Sequence, residues 1–260
     1  MQTFLLNIRK FFIAILLLAI YIPFIYIILS SFNVNENMLD IELFSLSHYF
    51  TFWGNDQLLN SLLNSLIVAL ISSFLSIVIG FFVSIFTLNH YKYELFIVAL
   101  MTLPILLPDI IIGLSTRSLF NFIIDRGFLS IILAHTVFGC SFSFLIIYSS
   151  IKSTSQELTY LQKASNDLGA NSTQQLFKII IPSLKKTLLS AALICFTLSF
   201  DDFLVTFFNI GNFETFPIFL SNILRRQFIP TDVAVIATLL IISSSILLIY
   251  SETIQKEDLS

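Results

Sequence analysis

Six long apolar stretches mark the sequence, near residues 11–29, 62–88, 95–116, 128–150, 187–208 and 233–250, with polar residues gathered between them. Each provides the roughly 20 mostly apolar residues that a helix needs to cross a hydrocarbon core about 30 Å thick. The pattern predicts an all-α integral membrane protein of six transmembrane helices, with residues 1–260 as a single transmembrane domain. Two stretches depart from plain apolar rods. In TLPILLPDIIIG, Pro104 and Pro108 each lack an amide donor, so the third helix is expected to be broken or kinked. A break at membrane depth is tolerated only where protein or a water-filled cavity surrounds it. In the second helix Ser72, Ser76, Gly80 and Ser84 recur every four residues, beside a stripe of Ser65, Ala69 and Ser73. Small residues at that spacing let helix backbones approach closely. Packing within the chain and packing against a second subunit fit the stripe about equally well.

Composition supports the bilayer. Of the 260 residues, 57% are hydrophobic and only 11% charged, against about 25% charged in a soluble domain. Mean hydropathy is +0.93. No nucleic-acid partner is expected; membrane lipid is. Arg9 and Lys10 precede an apolar run, Phe11 to Leu29, longer than the roughly 7–15-residue core of a cleavable signal, so a retained first transmembrane helix is expected. With the N-terminus inside, the cytoplasmic segments hold nine basic residues: Arg9, Lys10, Lys92, Lys152, Lys163, Lys178, Lys185, Lys186 and Lys256. The outer segments hold four: Arg117, Arg126, Arg225 and Arg226. That excess orients a multi-pass protein of the cytoplasmic (inner) membrane with both termini in the cytoplasm. The first outer loop, 30–61, has no Lys or Arg, and its HYFTFW stretch, His48–Trp53, reads as an aromatic belt.

Acids inside spans are the candidate chemistry. In LSFDDFLVTFF, residues 198–208, Asp201 and Asp202 interrupt an apolar run, and Asp109 follows Pro108 in the third span. Such a charge costs about 2.5–3.5 kcal/mol on insertion scales and by default marks a functional site. Along straight helices, Asp109 and Asp201 each sit roughly 22 Å from the cytoplasmic start, so both could line one pathway for a cationic solute. Neighbouring helical residues point about 100° apart, so one of Asp201 and Asp202 is expected to face the pathway while the other pairs elsewhere. The alternative is structural: an N-cap at an unwound point, or pairing with the outer arginines. Phe200 and Phe203 flank the aspartates and offer cation–π faces.

Enzymatic readings fare worse. An intramembrane aspartyl protease would carry a Gly-x-Gly-Asp signature, and here Ser199 and Phe200 precede Asp201. His135 reads as a hydrogen-bonded packing residue. Cys140 and Cys195 lie in apolar runs with no metal-ligand spacing, so no metal site is expected. The seven glycines are all isolated, so the chain has no phosphate-binding loop to hold and split ATP.

The longest cytoplasmic connection, 152–186, contains QKASNDLGANSTQQLFKIIIP. It reads as a helix stopped at Gly169 and a second helix from STQQLFKIII to Pro182. The stretch resembles the cytoplasmic motif of binding-protein-dependent ABC importers, Glu-Ala-Ala, then glycine, then Ile-x-Leu-Pro. Lys163, Ala164 and Ser165 stand at the first three positions, Gly169 at the glycine, Ile179 at the isoleucine, and Ile181 and Pro182 at the Leu-Pro. Lys163, Ser165 and Ile181 depart from the pattern while its spacing is kept. DLGA (Asp167, Leu168, Gly169, Ala170), FTLSFDD, LPDI and ETFPIFLSNILRRQFIPTDVAVIATLL are similar to the spermidine/putrescine (PotC-type) permeases. The resemblance implies a type I importer (MetI-like) transmembrane fold that translocates polyamines by alternating access and is itself no enzyme. It implies as partners a second homologous permease, two cytoplasmic ATPase subunits that bind ATP and Mg, and an external polyamine-binding protein. A different organic cation or small solute carried by the same kind of machine is the alternative.

Overall fold

The computed structural model describes residues 2–39, 44–225 and 229–257; Arg226 lies outside them. In chain order the helices are α1 (Gln2–Ser30), α2 (Ser47–Thr51), α3 (Asp56–Asn89), α4 (Glu94–Leu106), α5 (Asp109–Phe120), α6 (Phe128–Ser153), α7 (Ser155–Asp167), α8 (Ser172–Gln175), α9 (Ile181–Ser183), α10 (Lys185–Phe200), α11 (Leu204–Asn209), α12 (Phe216–Leu224) and α13 (Thr231–Glu257). One π-helical turn, Leu176–Ile180, joins α8 to α9. The architecture is helical, as the apolar pattern requires. α1 (from Arg9), α3 and α6 are each long and apolar enough to cross a membrane.

The third and fifth apolar stretches are not continuous rods. α4 and α5 meet at 107°, and α10 meets the segment before it, Ser172–Ser183, at 70°. Of the two prolines in the third stretch only Pro108 breaks the helix; α4 runs through Pro104. The residue before a proline is pushed into extended backbone, and Leu107 has ψ 140°. Asp109 opens a new helix at the corner. The fifth stretch, expected as one helix over 187–208, stops at Phe200 and restarts at Leu204. Asp201 and Asp202 sit in the gap rather than on a helix face.

The chain divides into two compact units, residues 1–59 with 220–260, and residues 60–219. In the first, α1 packs along α13. The segment after α1 is stitched to the start of α13: Thr231 N donates to Glu36 O at 2.8 Å, and Asn55 Nδ2 donates to Asp232 Oδ2 at 3.1 Å. His48 Nδ1 lies 3.1 Å from Asp232 Oδ1. HYFTFW forms α2 and a short 3-10 turn, in which Phe50 and Trp53 are exposed while Phe52 is buried.

In the second unit α6 is the mast. α4, α5, α10 and α11 all pack against it, and Ile131, His135, Phe144 and Ile147 on it are fully enclosed. The small-residue stripe of α3 also faces α6, so its partner lies within the chain. A methyl added at Gly80 would sit 2.2 Å from Ser143 Oγ and 2.7 Å from Phe144 N; one at Gly139 would sit 2.3 Å from Ser76 Oγ. Ser143 Oγ donates to Ser76 O at 2.6 Å across the same contact. There is no room for a larger side chain at either glycine. Gly80→Ala is expected to destabilise the protein by about 1–3 kcal/mol through overpacking, read as a lowered midpoint of thermal unfolding in detergent. Gly54→Ala, where the space is open, serves as the silent control.

Candidate functional site

The two helix breaks come together because the halves that follow them pack face to face. α5 and α11 are in contact, and Gly113 permits the approach: a Cβ there would lie 2.7 Å from a Phe208 ring carbon and 3.3 Å from Leu204 O. Asn209 Nδ2 on α11 donates to Thr116 Oγ1 on α5 at 3.1 Å, and Asn209 O accepts from Gly127 N (3.1 Å) and Ser130 Oγ (2.9 Å) at the start of α6. The breaks then border one cavity of about 530 Å³, whose walls include Pro104, Asp109, Thr197, Asp201, Asp202 and Phe203. Asp109 and Asp201 are both exposed to it. Neither carboxylate has an ion-pair partner among the described residues. Phe203 lines the cavity, whereas Phe200 lies outside that wall, its ring stacked on Phe196 at 5.9 Å.

Asp202 is placed differently. Its side chain is 8% exposed. Oδ2 accepts from Thr206 N at 2.7 Å and from Thr206 Oγ1 at 3.0 Å, and Oδ1 accepts from Val205 N at 3.3 Å. These bonds cap the first turn of α11, whose leading amides would otherwise be orphaned. From α6, His135 Nε2 approaches the same Oδ2 at 3.2 Å and Thr206 Oγ1 at 2.9 Å. Of the structural alternatives read from the sequence, a cap at an unwound point fits Asp202, which stands one residue before the N-cap position, Phe203; no arginine pairs with it among the described residues.

His135 is 1% exposed, and its far nitrogen is also engaged. Nδ1 lies 2.7 Å from Ser199 Oγ on α10, which lies 2.8 Å from Ser72 Oγ on α3. Ser72 Oγ in turn reaches Val68 O at 2.7 Å. A carboxylate only accepts, so Nε2 carries a proton. The hydroxyl chain then closes in two ways. With a neutral ring, Ser199 donates to Nδ1 and Ser72 to Ser199. With an imidazolium, Nδ1 donates to Ser199, Ser199 to Ser72, and Ser72 to Val68 O. Every nitrogen and hydroxyl is satisfied in both, so this buried network binds α3, α6, α10 and α11 whichever form is present.

The connection 152–186 is a helix–turn–helix with closed turns. α7 ends in a Schellman motif: Ala170 N donates to Ser165 O and Gly169 N to Asn166 O, both at 2.9 Å, with Gly169 at φ +81°. Gly169 is therefore the stop that the sequence marks. The N-cap of α8 stands two residues later in a capping box, Asn171 Oδ1 accepting from Gln174 N at 2.8 Å and Gln174 Oε1 from Asn171 N at 3.0 Å. The inner face is fixed to the second unit's core, where Leu158 and Leu184 are buried with Phe81 and Ile147, and Leu176, Ile180 and Ile181 pack against them. Ser165 turns inward and Ile179 is half-buried; Lys163, Ala164, Asp167, Gly169 and Pro182 are exposed, and Leu168 is 87% exposed. The outer surface is thus polar with one prominent apolar side chain. At the start of this connection Lys152 and Tyr148 both bond to Glu94 Oε1, tying the base of α4 to the end of α6. The sequence offers no signal for that contact.

Among the described residues no group of His, Cys, Asp and Glu is arranged to hold a metal ion. Cys195 is buried and Cys140 half-buried, both as free thiols.

No family model matches the chain. It is similar to the spermidine/putrescine transport system permease protein PotC of Haemophilus influenzae, 28% identical over 254 residues, covering 96% of this chain and 97% of that protein. It is similar at 28% identity to PotC of Escherichia coli K12, covering 92% of this chain and 90% of that one. A putrescine transport system permease protein, PotI of the same organism, is 26% identical over 88% of this chain and 85% of that one. The resemblance carried by the motifs therefore extends along nearly the whole sequence. Among solved structures, a bacterial ABC transporter involved in the import of the acidic polysaccharide alginate has the same fold, with a TM-score of 0.66, 15% identity and coverage of 98% of this chain and 96% of that one.

The two neighbouring aspartates should separate cleanly in a stability measurement. Asp202→Ala removes a helix cap and a buried partner of His135, and is expected to lower stability by about 2 kcal/mol. Asp201→Asn is expected to leave the thermal midpoint in detergent unchanged.

Proposed function

We propose that this chain is the permease subunit of a binding-protein-dependent ABC importer that carries spermidine and putrescine across the cytoplasmic membrane. The observation that carries the reading is the meeting of two unpaired carboxylates, Asp109 and Asp201, at two helix breaks on the wall of one cavity. Its volume of about 530 Å³ is within the usual range for small-molecule sites, about 300–1,000 Å³. A polyamine is a flexible chain of ammonium groups with no anionic end, so it needs carboxylates and aromatic faces. Asp109, Asp201 and the Phe203 ring supply those, and the permeases similar to this chain are named for the same solutes. Asp202 serves the pathway from behind, by holding the turn on which Asp201 stands.

The machine needs partners. A second homologous permease would supply the facing wall, two ATPase subunits would bind ATP and Mg in the cytoplasm, and an external binding protein would deliver the solute. The exposed face of α7, with Lys163, Ala164, Asp167 and Leu168, is the surface offered to the ATPase. Its inner face is anchored to α3 and α6 through Leu158, Leu184 and Ile181, so motion of the ATPase is handed to the helices around the cavity. Alternating access follows: ATP binding opens the pathway outward, the solute passes Asp201 and Asp109, and hydrolysis restores the inward-facing form. Both termini are cytoplasmic in this arrangement.

Uptake of radiolabelled spermidine and putrescine into vesicles carrying the assembled complex tests the reading. ATP-dependent uptake is expected, falling about tenfold or more when either Asp201→Asn or Asp109→Asn removes one charge–charge contact at a desolvated site. Full uptake in Asp201→Asn would refute the site. Hydrolysis of ATP without polyamine uptake would retain the importer and point to a different organic cation.

A further inference from the structure

We infer that His135 is a positioning residue for solute binding: acting through Asp202, it holds the unwound turn 201–203 so that Asp201 faces the cavity. The inference rests on the reading of that cavity as a cation pathway, and assigns a role to a residue that does not line it.

Asp201 is the C-cap of α10, its backbone N bonded to Thr197 O at 3.1 Å. Beyond it the chain has no helical hydrogen bonding until α11 takes over, so the direction of Asp201 depends on where Asp202 is fixed. Three of the bonds that hold the Asp202 carboxylate come from Val205 and Thr206. Those donors tie the turn to the start of α11; His135 ties both the carboxylate and Thr206 Oγ1 to α6. The approach of His135 Nε2, at 3.2 Å, is the one polar contact to this carboxylate from another element among the described residues.

His135 is itself immobilised. It projects from the mast helix α6, is enclosed, and is held at Nδ1 by Ser199, which Ser72 backs up. A fixed imidazole aimed at a carboxylate that is only 8% exposed is a clamp on the adjacent peptide. The clamp also keeps the two acids in separate roles. With Asp202 engaged from behind, the charges left to meet a cation are those of Asp201 and Asp109. Without His135, Asp202 loses its outside partner and the turn is free to rotate, so that either acid can swing toward the solute in a less defined geometry.

A positioning role differs from plain packing in what it predicts. In vesicles carrying the complete transporter, His135→Leu is expected to lower polyamine uptake about tenfold, the equivalent of one hydrogen bond to a charged group, while complex assembly and ATP hydrolysis stay within about twofold. His135→Gln, whose amide can reach the place of Nε2, is expected to recover most of the uptake. The double variant His135→Leu with Asp202→Asn is expected to lose less uptake than the product of the two single losses, because the two residues are in direct contact. Uptake by His135→Leu within twofold of the unmodified chain would overturn the inference, and so would losses that multiply in the double variant. If His135→Leu does not assemble, the same comparison is made with His135→Asn, whose shorter amide reaches the place of Nδ1 but not that of Nε2, and an unaltered ratio of uptake to hydrolysis there would overturn it. Asp201→Asn, measured alongside, tells the two readings apart: loss of uptake there with none in His135→Leu removes the clamp and keeps the pathway.

Discussion

A helix broken inside a bilayer strands amides and carbonyls where no water can reach them, and each stranded group costs several kcal/mol. This chain breaks two helices and then settles the stranded groups locally. At the first break Leu107 N reaches back to Pro104 O, and Pro108 O accepts from Ile111 N at 2.8 Å, opening α5. At the second, Asp201 N is bonded to Thr197 O and the Asp202 carboxylate takes the leading amides of α11. Once those groups are settled, the half-helices can pack as short rigid pieces. Gly113 lets α5 and α11 touch, and α6 receives all four halves. The cavity and the acids on its wall are consequences of that solution.

The connection 152–186 obeys a different rule. Its surface is largely polar, so it could have been a loose loop, yet its turns are closed by specific bonds: the Schellman motif at Gly169 and the capping box at Asn171 and Gln174. Its apolar face is sunk among Phe81, Ile147 and Leu184. Under the proposed function such closed turns would pass on a push that a flexible linker would absorb.

How much of this was legible follows from range along the chain. Apolar lengths revealed the spans, because a bilayer imposes length directly. Pro108 revealed the first break, since proline acts on its own neighbour. Gly169 revealed the turn of the cytoplasmic connection for the same reason. The break in the fifth stretch carried no such mark: Phe200, Phe203 and Leu204 suit a continuous helix, and the cap made by Asp202 shows only in the spacing to Val205 and Thr206. The partnership of Asp202 with His135 joins residues far apart in the chain, and periodicity is silent about such contacts. Small-residue spacing in α3 foretold close approach but not the identity of the neighbour, which Ser143 and Gly139 of α6 supply. Asp109 stands at the corner where α4 gives way to α5, a turn that a straight-rod reading does not describe.

The exposed pair Asp109 and Asp201 has one more consequence. Fixed carboxylates with no basic side chain beside them gather mobile cations from the bath, and a cleft of one sign concentrates them. On the proposed reading, the cavity wall would act as a miniature cation exchanger. A solute with several ammonium groups would displace several small cations at once and return their freedom to the solution. Selection at such a wall would run on valence as much as on shape.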